Sequence, residues 1–283
     1  MTHDTKKNAI WIASYPKSGN TWMRLVLQAY FRGGWLDKLN DDQDRGKQAA
    51  NVAAFESYLG ICASHVSCEE IMKWRPAVLH HETQKLDKKT LIKVHDQAKT
   101  STGDWMFPKA GTLGVLHLVR DPRDVVISWA SHKGFSIDQS IAYLNMDDKY
   151  NWQSITQGHT QLPQFMGNWS THTQSWLEAA SYLPLLTQRY EDRLLAPKKT
   201  LIEVLDFLRL ESTDDLIERI LNATDFKRVQ SLEDQEGFSE KPPEMDRFFR
   251  QGTSGAWRQT LTAQQRAQIE RKHGKMMEQL GYL

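Results

Sequence analysis

Cysteine is nearly absent: Cys62 and Cys68 are the only two in 283 residues, which argues against a disulfide framework and suits a reducing compartment. No second Cys pair stands ready to join them, and His80–His81 has no companion at helical spacing, so no metal site is expected. Net charge is equally thin. Thirty-six basic residues against 35 acidic ones leave +1. That is too little for a protein that grips nucleic acid by bulk charge, although a local basic pocket for a nucleotide is compatible with near-neutrality. No stretch approaches the ~18 apolar residues of a membrane span, and Met1 to Asn8 lead into a strand rather than a secretory apolar core, which predicts a cytoplasmic location without stable membrane association. Repeats and low-complexity linkers are missing too. A chain 40% hydrophobic and 25% charged is ordinary for a globular protein, and the reading is one domain over 1–283.

What is there begins at residues 10–22, Ile-Trp-Ile-Ala-Ser-Tyr-Pro-Lys-Ser-Gly-Asn-Thr-Trp. A short apolar strand runs into a Pro-Lys-Ser-Gly-Asn-Thr turn and then a helical segment. Gly19 permits a tight turn, and the amides of Ser18, Gly19, Asn20, Thr21 and Trp22 would face an anion at the helix N-terminus, with Lys17 adding charge. As a bare pattern the segment also suits a strand-to-helix turn with a solvated lysine. The usual nucleotide-triphosphate loop places lysine after its last glycine; here lysine comes first.

The spacing Tyr-Pro-Lys-Ser-Gly-Asn-Thr-Trp resembles the 5′-phosphosulfate loop of sulfotransferases that use 3′-phosphoadenosine 5′-phosphosulfate (PAPS), and the rest of the chain repeats that family's motifs in order. Residues 113–120 form an apolar run ending in Arg120, and Asp121-Pro122-Arg123-Asp124 opens a helix that carries Ser128. Arg120 and Ser128 resemble the family's 3′-phosphate pair; read alone, Arg120 could equally pair with Asp121 or Asp124. Phe248-Phe249-Arg250-Gln251-Gly252-Thr253-Ser254-Gly255-Ala256-Trp257 resembles the Arg-Lys-Gly-x-x-Gly-x-Trp segment whose arginine and glycine amide hold the same phosphate. Gln251 replaces the usual lysine, and Ala256 and Arg258 stand where Asp and Lys are common. Thr224-Asp225-Phe226-Lys227 resembles the Thr-Ser-Phe-Lys run that packs on adenine. Trp22 takes the place of the stacking tryptophan, and Tyr190-Glu191-Asp192 resembles the stretch that ends a strand and sends tyrosine toward the base. The opening motif looks most like bacterial members that sulfate natural products. The dimer motif of the animal enzymes has no clear counterpart between Trp257 and Gln265, which leaves oligomeric state open.

Lys93-Val94-His95 matches the family's Lys-Thr-His segment, so among ten histidines His95 is the candidate base. Asp96 stands in place of a frequent leucine and is expected to raise the imidazole pKa or hold its tautomer. The resemblance implies PAPS as donor, adenosine 3′,5′-bisphosphate (PAP) as product, Lys17 stabilising the leaving phosphate, Lys93 supporting the sulfate oxygens, and Ser128 restraining Lys17 until the acceptor arrives.

The pattern predicts strands at 9–14, 91–95, 113–120 and 185–190, and helices at 20–32, 122–133, 137–146, 163–182, 198–209, 213–223 and 263–280. These give an α/β fold, a central parallel sheet flanked by helices with ligands outside the carboxyl ends of the strands, P-loop-like in the manner of sulfotransferases. The topology of 35–90 is not readable, and 148–166 is a candidate lid. Ten tryptophans and the mixed aromatic and polar segments 35–90, 134–168 and 232–248 suit a hydrophobic or aromatic small-molecule acceptor carrying a hydroxyl. Two other classes use such loops: a nucleotide kinase, which should show Gly before Lys-Ser/Thr and an acidic metal ligand, and a non-catalytic PAP-binding protein, which would keep the loops and lose the base.

Overall fold

The computed structural model describes residues 6–40, 47–151, 160–243 and 245–283. In chain order the strands are β1 (Ala9–Ser14), β2 (Lys47–Gln48), β3 (Thr90–Val94), β4 (Thr112–Val119), β5 (Tyr150–Asn151), β6 (Gln164–Phe165) and β7 (Leu185–Arg189). The α-helices are α1 (Asn20–Phe31), α2 (Val52–Leu59), α3 (Cys68–Gln84), α4 (Pro122–Lys133), α5 (Ile137–Asn145), α6 (Trp169–Ala179), α7 (Tyr190–Leu195), α8 (Pro197–Phe207), α9 (Asp214–Ala223), α10 (Phe226–Glu236), α11 (Trp257–Thr260) and α12 (Ala263–Gln279).

The chain packs as two compact units. Of the described residues, the first takes those within 1–15, 46–117 and 146–187; the second takes those within 16–45, 118–145 and 188–283. The five-stranded sheet has the order β2-β3-β1-β4-β7 and is parallel, with Ala9 opposite Thr90 and Ala13 opposite Val94. Every residue of β1 is buried, which is why it reads as an unbroken apolar run rather than an alternating one. In the first unit Phe107 meets Trp11 in a T-shaped contact and Trp176 at a tilt, with ring centroids 5.0 Å apart in each pair. The α3 helix is fixed at its start by a Ser67–Glu70 capping box. In the second unit, Arg123 on α4 pairs with Asp121 (2.8 Å) and with Glu270 of α12 (2.7 Å), and also donates to the Tyr282 carbonyl at 2.8 Å. Buried pairing of this kind fixes where helices meet more than it adds to stability.

The fold class stands as expected, and the strands fall within a residue of their predicted bounds. Two expectations are corrected. The helix predicted over 163–182 begins only at Trp169, because 164–165 pair antiparallel with 150–151. Gly167 there takes a left-handed φ of 59°, the amides of Met166 and Gly167 both donate to the Lys149 carbonyl, and the Asn168 side chain caps Thr171 N. The strand predicted over 185–190 stops at Arg189, and Tyr190 opens α7 instead of ending a strand. The unreadable stretch 35–90 holds β2, α2, a 3-10 turn at Ala63–His65 and α3. Of the candidate lid, 152–159 lie outside the described residues.

Candidate functional site

In the second unit the loop after β1 is bent by two left-handed residues, Lys17 (φ 71°) and Gly19 (φ 91°). Only glycine fits at 19: a Cβ there would stand 2.4 Å from Arg193 Nη2 and 2.9 Å from the Tyr190 ring. Gly19 is also the N-cap of α1 and offers no side-chain cap, so the turn that opens the helix carries the amide dipoles without a side chain quenching them. Arg120 donates to the Lys17 carbonyl and to the Thr253 carbonyl, both at 3.0 Å, and its guanidinium lies 4.3 Å over the Tyr190 ring. Arg193 donates to the Ser18 carbonyl at 3.0 Å.

Three residues around this loop keep buried hydrogen-bonding atoms without a partner: Ser18 Oγ, Arg120 Nε, and Arg193 Nε and Nη1. Buried polar atoms are rarely left so. Their convergence on residues 17–19 fits an anionic group bound at the loop.

The remaining predicted nucleotide contacts belong to the same unit. Trp22 Nε1 donates to the Thr224 carbonyl at 3.0 Å, so tryptophan and threonine are held together. Thr224 closes α9 and Phe226 opens α10. Gly252 (φ 62°) lies so close to the Phe226 ring that a Cβ would meet it at 2.4 Å. Arg250 and Gln251 are exposed. The segment's far end is anchored by Asp124, buried on α4, whose carboxylate accepts from Gly255 N at 2.6 Å and Trp257 N at 3.1 Å. Asn20 and Thr21 both accept from Arg24 (3.2 and 3.3 Å), which itself pairs with Glu240 at 2.7 Å.

Lys17 Nζ stands 3.3 Å from His132 Nδ1 and 4.7 Å from the centroid of Phe248, whose ring meets His132 edge-on at 6.3 Å. Ser128 is half-buried one turn earlier on α4. Sequence reasoning named Ser128 and missed His132, although a spacing of four places both on one helix face. It also missed Arg193, three residues beyond Tyr190 on α7, and passed over Asp124 as an anchor.

Lys93 and His95 belong to the first unit. His95 Nδ1 lies 2.8 Å from the Ser14 carbonyl and 3.4 Å from Ser14 Oγ. A carbonyl only accepts, so Nδ1 carries the proton and the neutral ring has its lone pair on Nε2. The expected role for Asp96 is corrected here. Asp96 is fully buried and its carboxylate takes Arg75 at 2.5 and 2.8 Å and Phe165 N at 2.9 Å, so Ser14 and not Asp96 fixes the tautomer of His95. Lys149, another residue missed, is 2% exposed; its ammonium donates to the Tyr15 hydroxyl and stands 4.6 Å from that ring. Burial pushes Lys149 down to about 7, and burial together with the Lys149 charge pushes the neighbouring His172 down to about 3.

A family model described as a sulfotransferase domain matches residues 7–281. Sulfotransferase 1A1 of Rattus norvegicus is 27% identical over 271 residues, covering 94% of this chain and 83% of the relative. Sulfotransferase 1E1 of Bos taurus is 22% identical, covering 92% and 80%. Among solved structures, mouse sulfotransferase SULT7A1 complexed with PAP aligns with a TM-score of 0.59 at 17% identity, covering 97% of this chain and 85% of that one. Retinol dehydratase in complex with androsterone and PAP aligns at 0.61 and 17%, covering 96% and 81%. The sulfotransferase domain of the Synechococcus PCC 7002 olefin synthase aligns at 0.51 and 17%, covering 98% and 96%. Such structural likeness speaks to fold. Among the described residues no helix is long and apolar enough to cross a membrane.

Proposed function

Because the chain belongs to the sulfotransferase domain family, we propose that it moves the sulfuryl group of PAPS to a hydroxyl of a small, hydrophobic or aromatic acceptor. The observation that carries this reading is the convergence of unpartnered buried groups of Ser18, Arg120 and Arg193 on the 17–19 loop. Relatives of the same fold were solved with PAP, which supports PAPS as the donor.

The chemistry asks for few groups. The acceptor oxygen forms its bond to sulfur as the bond from sulfur to the 5′-phosphate oxygen breaks, so a base is needed on the incoming hydroxyl and a cation on the leaving oxygen. His95 takes the hydroxyl proton on Nε2, and the Ser14 carbonyl then steadies the imidazolium through Nδ1. Lys17 neutralises charge on the leaving oxygen, and Lys93 supports the equatorial sulfate oxygens. Arg120, Ser128, Arg250 and the Gln251–Gly252 backbone take the 3′-phosphate; Trp22, Tyr190, Thr224 and Phe226 take the base. The acceptor class is supported by retinol and androsterone bound in retinol dehydratase.

The test is incubation with sulfur-labelled PAPS and a panel of phenols and hydrophobic alcohols. Label should move to an acceptor with wild type and not with Lys17→Ala. Transfer of the terminal phosphoryl of ATP to those acceptors, with PAPS left intact, would overturn the reading.

A further inference from the structure

We propose that Arg193 is a cofactor-binding residue, donating Nε–H and Nη1–H to a phosphate of the nucleotide held at the 17–19 loop. The proposal rests on the sulfotransferase reading and adds a residue to its site.

Arg193 is 3% exposed, yet of its three nitrogens only Nη2 has a partner, the Ser18 carbonyl at 3.0 Å; Nε and Nη1 are buried without one. A guanidinium taken out of water is normally held by a carboxylate or by a full set of acceptors. The acid that acts on it, Glu191, has its oxygens engaged by the Asp121 amide at 3.1 Å and the Tyr282 hydroxyl at 2.9 Å. Burial lowers the Arg193 pKa to about 10, which still leaves the group charged at neutral pH.

The surroundings indicate what the missing partner is. The guanidinium lies 5.4 Å from the Trp22 ring and 5.4 Å from the Tyr190 ring, the two aromatics assigned to the base. Gly19 is kept without a Cβ by this same side chain. The neighbouring loop carbonyl, that of Lys17, is held by Arg120, whose Nε is likewise unpartnered. Two arginines thus grip consecutive carbonyls of the loop and keep spare donors, an arrangement that repels itself until an anion arrives. A purely structural arginine would instead have its donors satisfied within the protein.

Arg193→Met and Arg193→Lys are to be titrated calorimetrically with PAP and with adenosine at several salt concentrations, and the melting of each ligand-free protein followed. For Arg193→Met the expected result is a loss of PAP affinity of about tenfold or more with a shallower salt dependence, since a charge-assisted contact is removed. Adenosine affinity should be unchanged and the melting temperature of the free protein equal to or above that of wild type, because an unpaired buried charge has been replaced by an apolar side chain. Arg193→Lys should fall between. Unchanged PAP affinity in a folded Arg193→Met, or PAP and adenosine affinities falling together with the melting temperature, would overturn the proposal. Should the methionine variant fail to fold, Arg193→Lys decides: weakened PAP with unaltered adenosine supports the role, and equal effects on both contradict it. Absence of PAP binding by wild type would instead strike the sulfotransferase reading itself.

Discussion

At the residue scale, the informative feature is a backbone carbonyl. Ser14 closes a strand whose amides and carbonyls are mostly spent on sheet pairing, and its oxygen orients His95 (2.8 Å). His95→Gln should therefore lower sulfuryl transfer by about 10²–10⁴-fold, the usual reach of a positioned base, with PAP affinity unaltered by calorimetry; a matching loss of affinity would contradict the assignment. Gln251 is exposed on its segment, and Gln251→Lys should tighten PAP binding by about 1 kcal/mol, the scale of one added contact, with turnover intact. Weaker binding would mean that the side chain does not face the phosphate. The bend at Lys17 and Gly19 was legible in the sequence because a glycine turn and its flanking charge are local, whereas Trp22 and Arg120 were named only through the motifs they stand in. His132 and Arg193 were not legible, since their partners lie 115 and 175 residues away, and contacts of that range leave no periodic trace.

At the scale of elements, α4 does two jobs. Its first turn carries Asp124, which holds the Gly255 and Trp257 amides, and its third carries His132 against Lys17. Asp124→Asn keeps one acceptor oxygen and turns an NH₂ toward the other amide, so it should cost about 1–3 kcal/mol of stability, read as a lower denaturant midpoint, and weaken PAP binding more than it slows turnover at saturating cofactor. Equal PAP affinity would show that the 250–257 segment keeps its place without the anchor. Buried strands such as β1 could be read because parallel strands are apolar throughout. The helix expected over 163–182 is shortened at its start because Pro163 and Gly167 punctuate the apolar run there. The stretch 35–90 resisted reading for the opposite reasons: β2 is two residues long, and Pro76 sits inside α3, where proline ordinarily signals a break.

At the scale of the whole molecule, the alternation of strands and helices foretold a parallel sheet, whereas its order β2-β3-β1-β4-β7 depends on crossovers that no local pattern encodes. Stability also carries a pH signature at this scale. Lys149 is lowered to about 7 by burial, so between pH 7 and the ordinary lysine range the unfolded chain binds a proton that the folded one does not. Stability should then climb as pH rises from about 7 to about 9.5, by up to about 1.4 kcal/mol per unit from this group, and below pH 7 its penalty is complete and constant. Unfolding midpoints across that window should rise for wild type and flatten for Lys149→Met; identical slopes would place the proton elsewhere. The most direct measurement for the account as a whole is calorimetric titration of the purified protein with PAP, with adenosine 5′-phosphate, and with ATP and magnesium. The expected result is micromolar binding that requires the 3′-phosphate and proceeds without added metal. Binding of ATP with magnesium alone would contradict it, and the roles given to Arg120, Ser128 and Arg250 would fall together.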